Sequence, residues 1–155
     1  MDDDALRDAI ARHIWFHSIE LRPGITTPGR KTPDIMTAEE ELVLGPLPLA
    51  GMSVLDIGAW NGGFSIAALR RGAARVLATD SYTWDHPDFR GRETFDLACA
   101  AAGVQPEARR LDPMELPADL APFDLVLFLG VFYHLRNPIP VMEALGRLTA
   151  QVCVV

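Results

Sequence analysis

Apolar residues follow two different rhythms along this chain. In the first fifty residues they are sparse and helix-spaced. Leu6, Ile10 and Ile14 recur near one face with Ala9 and His13, which predicts a helix over 4–16. Asp2, Asp3 and Asp4 suit its N-terminus through the helix dipole. Residues 17–34 carry Pro23, Pro28 and Pro33 with Gly24 and Gly29, so an extended segment with turns at Pro23-Gly24 and Pro28-Gly29 is expected. A short helix over 37–44 follows, ended by Pro46 and Pro48.

From residue 52 the rhythm changes to short apolar runs separated by helical stretches. Strands are expected at 52–57, 75–80, 108–111, 124–129 and 152–155. Helices are expected at 63–71, 89–102 and 138–148, with a short irregular helix at 113–120. Gly72 and Gly103 read as helix C-caps, and Asn137 as an N-cap with Pro138 at the first helical position. This alternation implies an α/β fold with a parallel, doubly wound sheet and helices on both faces. Residues 1–49 then form an N-terminal helix and extended arm, and residues 50–155 the core. Ligands of such sheets bind beyond the carboxyl ends of the strands.

Composition narrows the class. A chain of 155 residues, 49% apolar and 23% charged, can bury a substantial single core. Its net charge is −7 and Lys31 is its only lysine, so nucleic acid is a possible partner but unsupported by charge. The arginine groups Arg70, Arg71, Arg75 and Arg109, Arg110 read as solvated rims. Cys99 and Cys153 suggest neither a disulfide framework nor a metal site and read as small buried hydrophobes. No apolar stretch is long enough for a membrane span, and the acidic N-terminus opposes a signal peptide, so a cytoplasmic protein is expected.

The candidate chemistry centres on Val54-Leu55-Asp56-Ile57-Gly58-Ala59-Trp60-Asn61-Gly62-Gly63, a buried strand, a glycine turn and a helix start. The spacing is D-x-G-x-x-x-G rather than the G-x-G-x-x-G of dinucleotide sites, and the acid would repel a pyrophosphate. It suits a ligand carrying a cation and hydroxyls. Asp80 ends the next strand, where it can accept from two ribose hydroxyls or simply cap a turn. Asp112 follows the third strand, with Met114 beside it; it can accept from an adenine amine or form an Asp-Pro turn. Leu129-Gly130-Val131-Phe132-Tyr133-His134 follows the fourth strand and faces the same cleft. Three acids on consecutive strand ends, together with the glycine turn, form a specific pattern.

This pattern resembles the class I S-adenosylmethionine-dependent methyltransferases over residues 50–155. The resemblance implies a Rossmann-like sheet of order 3-2-1-4-5. It also implies S-adenosylmethionine as cofactor, with Asp56, Gly58 and Gly62 at its methionine part, Asp80 at the ribose and Asp112 at adenine. A narrower resemblance rests on Trp15-Phe16-His17-Ser18-Ile19-Glu20-Leu21, Thr27-Pro28-Gly29, the glycine turn, and Phe128 to Pro138 with its G-V-x-Y-H-x-R-x-P pattern. These segments are similar to relatives of the tRNA wobble-uridine methyltransferase that uses carboxy-S-adenosylmethionine. That likeness implies that Leu129 and Tyr133 lie by the cofactor. The basic residues and tryptophan that hold the extra carboxylate have no match, so the ordinary cofactor is expected. The chain also lacks the last two strands of the family core, so a truncated chain is expected, and with it a possible homodimer through the edge of the 152–155 strand.

The resulting expectation is methyl transfer to a small-molecule or modified-nucleoside acceptor. The alternatives are a non-catalytic cofactor-binding fragment or subunit and, less favoured, a nicotinamide oxidoreductase. His134 and Tyr133 are the candidate general bases; each also reads as a packing or pocket-wall residue. His13 and His17 lack a third metal ligand. Residues 13–30 are expected either to close over the cleft as a lid, bringing Trp15, His17 or Glu20 to the substrate, or to form a packing arm. Trp60 is expected to cover the cofactor or to pack on a helix. Residues 82–87 are expected to wall the adenosine side, with Trp84 as a stacking surface and His86 exposed.

Overall fold

A computed structural model describes all residues, 1–155. A five-stranded parallel sheet organises the chain: β3 (Ser53–Ile57), β4 (Arg75–Asp80), β5 (Glu107–Arg110), β6 (Phe123–Leu127) and β7 (Thr149–Val154), in the order β5-β4-β3-β6-β7. In core numbering this is the expected 3-2-1-4-5. β3 lies at the centre, in register with β4 from Ser53↔Arg75 to Ile57↔Thr79. Being central, it is buried on both faces, which explains its unbroken apolar run around Asp56. β5 and β7 are the sheet edges.

Side-chain alternation divides the core. Val54, Val76, Leu125 and Leu127 face helices α2 (Pro33–Val43) and α3 (Gly63–Arg70) through Met36, Phe64, Ala67 and Ala68. Leu55, Ile57, Leu77 and Val126 face the opposite side, where α6 (Ile139–Leu148) contributes Val141, Leu145 and Leu148. A third cluster joins Ala78 to Ile66 on α3 and to Phe95, Ala98 and Cys99 on α5 (Gly91–Ala102). α1 (Asp3–Ala11) adds Leu6 and Ile10 to that cluster, and the following segment adds Trp15, Ile19, Leu21 and Ile25. The N-terminal residues therefore share the core of the sheet domain.

Local chemistry accounts for the element ends and for several departures from expectation. α1 starts where Asp2 accepts from the Ala5 N–H at 2.8 Å, and it ends at Ala11, short of residue 16. Trp15 Nε1 donates to Ile10 O at 2.9 Å, folding the chain back across the last turn. The extended segment contains a small hairpin, β1 (Glu20–Arg22) with β2 (Ile25–Thr26), turning at Pro23-Gly24. α2 begins earlier than expected because Thr32 caps it and Pro33 fits its first turn.

The expected helix at 89–102 is α5, which starts only after Arg90 at φ +46°, and a separate short helix, α4 (Tyr82–Asp85), precedes it and ends before Pro87. Only Pro113–Glu115 of the expected 113–120 helix is helical, as one 3-10 turn. Pro138, not Asn137, occupies the N-cap of α6, and no side chain caps it. Cys99 is buried as expected, whereas Cys153 on the edge strand is half-buried.

Candidate cofactor site

The glycine turn between β3 and α3 forms because its backbone visits the left-handed region three times. Gly58 has φ +84°, Trp60 +45° and Gly62 +83°. Glycine adopts such angles without Cβ strain; Trp60 does not, so its conformation is held by its surroundings. Its N–H donates to Asp80 Oδ2 at 3.1 Å, and its carbonyl accepts from Trp84 Nε1 at 2.9 Å. Gly58 N–H and Ala59 N–H both donate to Thr79 O, at 2.8 and 3.0 Å. The end of β4 thus serves as the anchor of the turn.

Two acids lie beneath and beside this turn. Asp56 is buried on β3 and accepts from Ser65 Oγ at 2.6 Å. Burial pushes its pKa up to about 6, with the Ser65 hydrogen bond opposing and the neighbouring Asp80 charge adding to the rise. Asp80 Oδ1 accepts from Thr83 N–H at 2.9 Å, while Oδ2 holds Trp60. Burial raises its pKa as well, against the hydrogen bonds from Thr83 and Trp60. A carboxylate can accept about four hydrogen bonds, more than these two N–H groups supply.

The other positions are distributed around the same end of the sheet. Asp112 stands two residues beyond β5 and accepts from Met114 N–H at 2.8 Å, forming the Asp-Pro turn. Its second oxygen has no partner in the chain, and Met114 is exposed. Leu129 is half-buried, and Gly130 takes φ +71°. Val131 then folds back over the glycine turn: a Cβ built on Gly58 would lie 2.4 Å from Val131 Cγ2. Tyr133 and His134 are exposed, their rings 4.5 Å apart, and neither side chain is hydrogen-bonded within the chain.

The N-terminal segment meets this site in an unforeseen way. Trp15 is buried and Glu20 is exposed on the hairpin. Phe16, not Trp15, reaches the turn, stacking on Trp60 with ring centroids 4.7 Å apart and planes 3° from parallel. His17 packs against Gly63 and Phe64, and burial pushes its pKa down to about 3, so it stays neutral. Trp60 is half-buried between Phe16 and Phe89.

The expectation that Trp84 offers a stacking surface is corrected. It is buried against Phe95, with Arg92 over its ring. His86 is likewise half-buried against Phe89 rather than exposed, and its Nδ1 accepts from Asp88 N–H at 3.2 Å. Tyr82 is instead the exposed ring beside Asp80. Ser65 and Val131 carried no assigned role. Ser65 had one signal, a polar residue inside the apolar first turn of α3; Val131 had none, because its position depends on how the loop closes.

The profile of the methyltransferase-domain family matches residues 34–153. The chain is 37% identical over 99 residues to a tRNA U34 carboxymethyltransferase of Pseudomonas putida, a match covering 64% of this chain and 30% of that protein. A protein of the same name from Trichlorobacter lovleyi is 32% identical over 102 residues, again over 30% of its length. Among solved structures, the N-terminal domain of EvdMO1 with SAH bound superimposes with a TM-score of 0.67 at 24% identity, covering 97% of this chain and 63% of that one. An S-adenosylmethionine-dependent methyltransferase from Mesorhizobium loti gives 0.56 at 19% identity, covering 71% of this chain and 48% of that one. These structural likenesses concern the fold. With the family match, the central Asp56–Gly62 turn and the β5-β4-β3-β6-β7 sheet, the chain belongs to the class I, S-adenosylmethionine-dependent methyltransferase-domain family.

Proposed function

We propose that this chain binds S-adenosylmethionine at the glycine turn and directs its methyl group to a small-molecule or modified-nucleoside acceptor. The observation that carries the reading is the Asp80 carboxylate. It is buried at the end of β4 and held by Trp60 and Thr83 N–H groups, with lone pairs left for a ribose diol. Asp56 below the turn, and Asp112 and Met114 beyond β5, complete a set suited to a cationic nucleoside rather than to a pyrophosphate. Gly58 and Gly62 supply the left-handed corners that shape the turn, and Leu129 with Tyr133 the opposite wall.

When bound, the cofactor supplies an electrophilic methyl group on a sulfonium, open to in-line displacement by an acceptor lone pair. The protein's part is orientation and exclusion of water. Asp80 fixes the ribose, and the Gly130–Val131 corner moves off the turn to admit the methionine part. Tyr133 and His134 stand on the acceptor side as candidate groups to take a proton, if the acceptor carries one. A second reading, cofactor binding without catalysis, is favoured by one observation: no hydrogen bond within the chain holds either side chain in place.

The acceptor class rests on two considerations. The relatives from Pseudomonas putida and Trichlorobacter lovleyi are named for a tRNA nucleoside, which supports a nucleoside-like target. The net charge of −7 disfavours long contacts with phosphates. The chain spans about 30% of the length of those relatives, so any contribution from further segments belongs to the proposal. No helix is long and apolar enough to cross a membrane. The free edge of β7 is proposed to pair with a second copy, which size measurement in solution tests. The cofactor reading itself is tested by calorimetric titration with S-adenosylhomocysteine and, separately, NADH. Saturable binding of the first supports it; binding of NADH alone overturns it.

A further inference from the structure

Asn61 sits inside the glycine turn, yet the hydrogen bonds of its side chain all leave the turn. Its Oδ1 accepts from the backbone N–H groups of Phe16 at 2.8 Å and His17 at 3.4 Å. Its Nδ2 donates to Thr94 Oγ1 on α5 at 2.7 Å. The side chain is completely buried, with both polar atoms partnered. One fully satisfied amide therefore joins the N-terminal segment, the turn and α5.

The neighbouring contact gives this junction a direction. Phe16, whose N–H Asn61 receives, lays its ring flat on Trp60, the residue just before Asn61 in the turn. Trp60 is the non-glycine residue of the turn held at positive φ, and its own N–H is bound to Asp80. The N-terminal segment does not need Asn61 to stay folded, because Trp15, Ile19, Leu21 and Ile25 anchor it in the core. Losing the amide thus loosens the turn locally.

We propose that Asn61 is a positioning residue for the cofactor: it latches residues 16–17 onto the glycine turn, so that Phe16 holds Trp60 and the turn keeps the shape that presents Asp80. The inference rests on the reading of this turn as an S-adenosylmethionine site. Asparagine suits the position because it accepts from the segment while donating to Thr94. Aspartate keeps the accepting side toward residues 16–17, and the Thr94 hydroxyl, which donates to Gly91 O at 2.9 Å, can turn from that carbonyl to donate to it at a cost to stability rather than to the latch.

The test is S-adenosylhomocysteine affinity by calorimetry on the whole chain, with the melting temperature of each variant measured alongside. Asn61→Ala and Phe16→Ala should each weaken binding about tenfold at temperatures where the variant is fully folded, the scale of one lost buried hydrogen bond or aromatic stack. Asn61→Asp should restore binding to within about threefold of the parent. A purely structural role would lower the melting temperature and leave affinity unchanged. Parent-like affinity in Asn61→Ala and Phe16→Ala, or Asn61→Asp as weak as Asn61→Ala, overturns the inference. If Asn61→Ala does not fold, Phe16→Ala and Asn61→Asp decide: tenfold loss in the first with rescue in the second supports the latch. If the parent chain itself binds no S-adenosylhomocysteine, the cofactor reading falls and the latch with it.

Discussion

The backbone N–H of Trp60 donates to the Asp80 carboxylate at 3.1 Å, tying the glycine turn after β3 to the end of β4. The same carboxylate receives Thr83 N–H at 2.9 Å, at the start of α4. One acid thus shapes the turn and faces the proposed ligand, so its removal should affect binding more than stability.

Asp56 makes stability depend on pH. Its pKa is about 6 in the folded chain against 3.8 for the free group. Between those values the native state binds more protons than the unfolded state, so stability falls as pH rises from about 4 to 6 and then levels. Asp80, raised by burial too, contributes with the same sign. Asp56→Asn keeps an acceptor for Ser65 and removes the buried charge. Urea unfolding should find it more stable than the parent by about 2–3 kcal/mol at pH 7.5, with little difference near pH 4. Equal stability at pH 7.5 would contradict the burial argument.

Gly62 is restricted twice, by φ +83° and by the Phe95 ring 2.9 Å from the site of a Cβ. Gly62→Ala should cost roughly 2–4 kcal/mol, combining left-handed strain with overpacking. Gly103 at φ +70° has open space around it, so Gly103→Ala should cost only about 1 kcal/mol. Denaturant midpoints of the two variants separate the ring clash from the backbone angle; identical losses would rule the clash out.

Val131 occupies the space directly above Gly58. The Gly130–Val131 corner must therefore swing aside when a ligand's methionine part reaches the turn. Val131→Ala weakens the closed arrangement by about 1 kcal/mol and should tighten S-adenosylhomocysteine about fivefold, seen in stopped-flow binding as faster association. Slower association in Val131→Ala would show that the side chain forms part of the ligand's own wall.

Much of this was legible in the sequence because the signals were local. Asp56, Gly58 and Gly62 announce a strand–turn–helix in ten residues, and alternating apolar runs yield the parallel sheet with β3 at its centre. The misreadings have local causes too. The apolar spacing that suggested a helix through residue 16 continues past Ala11, where the Trp15 indole claims the Ile10 carbonyl. Trp84 looked like a stacking surface because it follows Asp80, but the α4–α5 corner turns it inward onto Phe95. What stayed invisible was pairing at a distance. Nothing near Asn61 indicates that its amide receives Phe16, and nothing near Gly58 indicates that Val131 will cover it.

The central claim is that Asp80 holds an S-adenosylmethionine-type ligand at the turn. Calorimetric titration of S-adenosylhomocysteine into the chain and into Asp80→Ala tests it most directly. The account predicts saturable one-site binding by the parent and a loss of about 10- to 100-fold in the variant, the scale of charge-assisted hydrogen bonds to a ribose. Unchanged affinity in a folded Asp80→Ala chain would contradict it and reduce Asp80 to the anchor of Trp60 and Thr83.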